Sequence, residues 1–138
     1  MLPQRLEALI MAEQVSAGLC RAMAKGPGPD RPVLRRLAGD AERRARELTT
    51  LHYLLTGRRL RLKLPQPPPV GSYPEQLRQQ YLQQRQMDRA YDRLAREFEG
   101  YSDQFVQLQK ESRQAGKTLQ NLLSRQIDRP EPRPGGIR

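Results

Sequence analysis

The chain has 138 residues, enough for one domain of ordinary size, and carries 25 Lys and Arg against 15 Asp and Glu, a formal net charge of +10. Leu, Ile, Val and Phe make up only 29 residues, 20 of them Leu, while Val, Ile and Thr total 11; this argues against a sheet and for helices around a modest Leu-rich core. The longest apolar runs, such as residues 8–12, are too short to span a bilayer, no basic region followed by an apolar block marks a secretory leader, and the single Cys20 excludes an internal disulfide, so a cytoplasmic protein is expected.

Proline placement divides the chain. The 12 prolines, at 3, 27, 29, 32, 65, 67–69, 74, 130, 132 and 134, leave proline-free runs at 4–26, 33–64 and 75–129. Proline breaks a helix interior, so helices belong in those runs, and Gly100 divides the longest of them. The predicted helices span about 3–25, 31–57, 74–98 and 102–127. Asp30 stands before Pro32 and Ser72 before Pro74 as N-caps would, and Gly26 and Gly57 stand where C-caps belong. Residues 58–73 form a long crossover containing Pro67, Pro68 and Pro69, whereas the first and third connections are short. Short, long, short predicts an all-α four-helix bundle over 1–127, made of two antiparallel helix pairs joined by one crossover. The Pro/Gly-rich stretch 128–138 is expected to be a disordered tail.

Apolar residues at i, i+3, i+4 spacing give each helix a buried stripe, and each stripe is interrupted near its middle. The first helix runs Leu6, Leu9/Ile10, Glu13, Ala17, Cys20, Met23/Ala24; the second Leu34, Leu37, Ala41, Arg44, Leu48, Leu51, Leu55. The third runs Leu77, Tyr81, Gln84, Met87, Tyr91, Leu94, Phe98; the fourth Phe105, Leu108, Glu111, Ala115, Leu119, Leu122, with Gln114 beside Glu111. Antiparallel packing brings the interruptions into one layer, where buried charges must be paired or bind something.

Two segments carry a family resemblance. Gly39-Asp40-Ala41-Glu42-Arg43-Arg44-Ala45 is followed by Leu51-His52-Tyr53-Leu54-Leu55-Thr56-Gly57, and Lys110-Glu111-Ser112-Arg113-Gln114-Ala115 lies on the fourth helix. Over about 3–126 the chain resembles the ferritin-like superfamily, nearest to bacterial rubrerythrin-type proteins. The resemblance implies a ferritin-like bundle and a position for a di-iron site. Such a site takes a Glu from each of two helices and Glu-x-x-His from each of the other two. Mapped onto this chain, Glu13 is retained, Ala41 and Arg44 stand for Glu and His, Gln84 (or Gln83) stands for Glu, Glu111 is retained, and Gln114 stands for the second His. Two carboxylates of six ligands are too few for two irons, and Arg44 adds a positive charge. The expectation is a non-catalytic, degenerate bundle with no cofactor, in which Arg44 engages Glu13 and Glu111 with the glutamines closing the network. The alternative is residual binding of iron or another divalent metal by Glu13 and Glu111. The resemblance also implies a homodimer.

The charge is local. Residues 31–63 hold ten cations and three anions, while 1–30 and 64–100 are each neutral. The expected basic patch is Arg35, Arg36, Arg43, Arg58, Arg59, Arg61 and Lys63. The segment Arg58-Arg59-Leu60-Arg61-Leu62-Lys63-Leu64 alternates basic and apolar residues, as a short extended segment against the bundle or a contact surface for an acidic protein partner would. Nucleic acid is a further candidate partner, bound without sequence specificity, since no aromatic residue interleaves the patch. His52, with no Asp, Cys or Ser beside it, reads as structural, and Cys20 as a small buried hydrophobe. The function expected is that of a structural or protein-interaction module, with the metal protein and a basic nucleic-acid accessory protein as alternatives.

Overall fold

The computed structural model describes residues 1–26, 28–63 and 70–128. These form four α-helices: α1 (Leu2–Ala24), α2 (Arg31–Thr56), α3 (Tyr73–Glu97) and α4 (Ser102–Asp128), with one turn of 3-10 helix, Glu99–Tyr101, between the last two. Among the described residues there is no strand. Asp128, expected to begin the tail, closes α4 instead; the rest of that tail, 129–138, and residues 64–69 of the crossover lie outside the described residues.

The helix ends follow local chemistry, with two differences. The first is at α1, which ends on Lys25 in the right-handed conformation rather than on a left-handed Gly26. Ser72 caps α3 by accepting the Glu75 N–H at 3.3 Å, and a proline follows in the first turn. Gly57 ends α2 in the left-handed conformation, φ 70°, and its N–H returns to the Tyr53 carbonyl. Asp30 occupies the N-cap position of α2, but its side chain makes no capping bond. Its Oδ2 instead accepts from the Tyr73 hydroxyl at 2.8 Å, tying the starts of α2 and α3 together.

α1 lies along α2 and α3 along α4. Pairings of Glu7 with His52, Glu13 with Arg44 and Arg21 with Glu42 make the first pair antiparallel. α1 also runs antiparallel to α3, through Arg5 with Glu97, Glu13 with Tyr91 and Ser16 with Gln80. α2 and α3 are therefore parallel, so the chain must travel the length of the bundle between them.

The core comes in two halves. One contains Leu2, Leu6, Leu9 and Ile10 of α1 with Leu48 and Leu51 of α2, Met87, Tyr91, Leu94 and Ala95 of α3, and Phe105 and Leu108 of α4. The other contains Ala17, Cys20, Met23 and Ala24 of α1, Leu34, Leu37, Ala38 and Ala41 of α2, Leu77 of α3, and Ala115, Leu119 and Leu122 of α4. Leu60 and Leu62 pack against the first half while Arg59, Arg61 and Lys63 stay exposed, so the alternating segment is an extended strap with its apolar side inward. Between the halves, at mid-height, every helix contributes buried polar groups.

Candidate functional site

That middle layer contains Glu13 and Ser16 from α1, Arg44 from α2, Gln80 and Gln84 from α3, and Gln109 and Ser112 from α4, all buried. At its centre Glu13 is 0% exposed and Arg44 is 1% exposed. The Arg44 guanidinium donates twice, Nε to Glu13 Oε2 at 2.7 Å and Nη2 to Oε1 at 3.2 Å. Tyr91 of α3, also fully buried, donates its hydroxyl to Glu13 Oε2 at 2.6 Å. One carboxylate thus takes three bonds from two other helices. The planar fork of arginine matches a carboxylate in a way that lysine does not.

Burial works against Arg44's charge, but Glu13 beside it more than compensates, and the guanidinium pKa stands above its ordinary value. Burial, reinforced by the Glu13 charge, pushes the Tyr91 phenol far up, so it remains a donor. Burial also lifts the Cys20 thiol to about 12, which suppresses the nucleophilic thiolate.

A second network lies beside the first. Gln84 Nε2 donates to Ser112 Oγ, which in turn donates to Asp88 Oδ1. Ser16 Oγ donates to Gln80 Oε1 at 3.0 Å. His52 is buried, with Nε2 3.6 Å from Glu7 Oε2 and Nδ1 unpartnered.

Of the residues expected in this layer, the structure brings together Glu13 and Arg44, with Ala41 buried one turn away and Gln84 in the neighbouring network. It does not bring in Glu111 or Gln114. Glu111 pairs with Arg43, and Gln114 is exposed; both line the outer groove between α2 and α4 with Arg36, Asp40 and Thr118. The expected joint grip of Arg44 on Glu13 and Glu111 is therefore corrected to a grip on Glu13 alone. The reason is helical phase. At roughly 100° per residue, the stripe through Phe105, Leu108, Leu119 and Leu122 centres on Ser112, leaving Glu111 about a quarter-turn to one side and Gln114 facing out.

The residues that sequence reasoning missed are Tyr91, Ser112, Asp88, Ser16 and Gln80. Tyr91 was visible only as a stripe residue, although a buried tyrosine hydroxyl demands a partner. Ser16 and Ser112 are too small to interrupt an apolar stripe noticeably.

The donor set does not fit a di-iron group. Glu13 is committed to Arg44 and Tyr91, Glu111 bonds a different arginine, and no histidine lies in the layer. Among the described residues no three of His, Cys, Asp and Glu come together as a metal site.

The expected basic patch is divided. Arg35 and Arg36 sit exposed at the start of α2 and Arg58, Arg59, Arg61 and Lys63 beyond its other end, about 30 Å away along the helix. Arg43, between them, is neutralised by Glu47 and Glu111. Among the described residues no helix is long and apolar enough to cross a membrane. Comparison with protein-family models, with curated proteins and with solved structures found no match to the chain.

Proposed function

We propose that the chain is a non-catalytic, degenerate ferritin-like bundle that serves as a structural or protein-interaction module. The observation that carries this reading is the two-pronged bond from Arg44 to Glu13 at mid-height, where a di-iron bundle would place its metals. An arginine there does a metal's structural work, neutralising a buried carboxylate and joining helices, while offering no Lewis acid or redox chemistry. The short, long, short connections and the parallel course of α2 and α3 support the ferritin-like topology.

As a module the bundle acts through its outside. Tyr53, Leu54 and Leu55 at the end of α2 are three consecutive exposed large apolar residues beside Arg58 and Arg59, and in this reading a second copy covers them.

Elemental analysis of protein purified from iron-replete cells, and again after anaerobic incubation with ferrous iron, tests the first part. No stoichiometric iron is expected in either sample, and stoichiometric iron would overturn the reading. Light scattering tests the second: the wild type is expected as a dimer and Leu54→Glu as a monomer, whereas a monomeric wild type at tens of micromolar would remove self-association.

A further inference from the structure

Segment-by-segment charge arithmetic points at α2, yet four further cations from two different helices converge on the opposite pair. A groove of about 370 Å³ runs between α3 and α4, lined by Arg85 and Arg89 from one side and Arg113 and Lys117 from the other. Among the described residues none of these four has a carboxylate within ion-pair distance. The groove also holds two carboxylates, so its four cations leave a net excess of two: Asp88 accepts from Ser112 and faces Arg113 and Arg85 beyond ion-pair distance, and Asp92 pairs with Arg96 at 3.2 Å. Each helix therefore carries a like-charged pair at i, i+4, an arrangement that destabilises an isolated helix, and the two pairs share one concavity. A bound anion relieves both repulsions at once.

The walls specify more than charge. Tyr81 lines the same groove, and the Arg85 guanidinium stands 5.9 Å from its ring centroid and donates to its hydroxyl at 3.0 Å. A guanidinium held over an aromatic ring presents phosphate-binding donors at its edge and a flat outer face on which a nucleobase stacks. Gly116 in the lining has no side chain to fill the concavity. Its size is within the range of small-ligand sites.

We propose that the groove between α3 and α4 binds a nucleoside phosphate, its phosphate held by Arg89, Arg113 and Lys117 with the edge of Arg85, and its base stacked on the Arg85 guanidinium that covers Tyr81. The ligand is a free nucleotide or one unit of a single strand; both offer the same chemistry. This site borders the buried layer through Gln109 and Asp88, but it does not rest on the reading based on the Glu13–Arg44 pair.

Calorimetry with adenosine monophosphate and with inorganic phosphate, and fluorescence anisotropy with a short labelled single-stranded oligonucleotide, separate the sources. Binding of the mononucleotide identifies a free nucleotide; binding of the oligonucleotide alone identifies a strand. Arg85→Gln/Arg113→Gln removes two exposed cations from the groove, and Arg35→Gln/Arg36→Gln removes two from the start of α2. Circular-dichroism melts of both double variants should match the wild type, because all four side chains are exposed.

The groove variant is expected to bind at least about tenfold more weakly and, for the oligonucleotide, to flatten the slope of log affinity against log salt by about 1.4, two phosphate contacts' worth. The α2 variant should retain binding. The proposal is overturned if the wild type binds neither probe at millimolar concentration, if both variants lose affinity equally, or if inorganic phosphate binds as tightly as the nucleotide.

Discussion

Glu13 shows how one residue can be both necessary and replaceable. Its carboxylate is fully buried, and removing Arg44 would leave that charge unpaired, at a cost of about 3–5 kcal/mol. Arg44→Met is therefore expected to lose that much stability in chemical denaturation, and Glu13→Leu a comparable amount. The double variant, with neither charge, should recover most of the loss, since a buried ion pair can be exchanged for well-packed apolar groups at little cost. Additive losses would show that the pair is not a unit. The titrations work at the same scale. The Cys20, Tyr91 and Tyr73 protons are all held more tightly in the fold, with burial the largest cause, and hydrogen bonds to Glu13 and Asp30 strengthen the hold on the two tyrosines. A folded pKa above the ordinary value contributes stability that is complete below that value and is lost as pH rises through the shifted range. Melting temperature should hold up to about pH 9 and fall above it, with Cys20→Ala removing part of the decline between 9 and 12. A pH-independent melt would contradict the burial of these groups.

The elements are stabilised mostly at their ends and along their buried stripes. Gly57 holds φ 70°, where a Cβ is strained although there is space for it, so Gly57→Ala should cost about 1 kcal/mol by urea denaturation. Loss of the Ser72 cap in Ser72→Ala should cost a similar amount. The helix boundaries were legible because proline and glycine act locally: the four helices end within one residue of where those residues place them. The stripes were legible too, except that one residue of phase on α4 exchanged Glu111 for Ser112 and that Leu55, expected to end the α2 stripe, is exposed. Period counting fixes a face only to within one side chain, and at the middle of a bundle that width separates a buried group from an exposed one. Asp30 fails differently: its position fits a cap, but a tyrosine 43 residues away takes its carboxylate.

Across the whole molecule, the parallel course of α2 and α3 sets the length of the link between them. α2 has 26 residues and is about 39 Å long, and the 16 residues between Thr56 and Tyr73 can reach well beyond that. Deleting four of them should leave the melt close to wild type. Deleting eight leaves a reach of about 30 Å, too short to return to the start of α3, and the cooperative transition should be lost. The sequence by itself determined the all-α class, the four helices and the presence of Glu13 and Arg44 in mid-stripe, because proline, glycine and apolar period act over one or two turns. Tertiary structure alone decided which groups meet: Tyr91 rather than Glu111 at the Glu13–Arg44 pair, and four cations from α3 and α4 in one groove. Those outcomes depend on the rotation of each helix against its neighbours, which is set by packing between residues far apart in the chain and leaves no local signature.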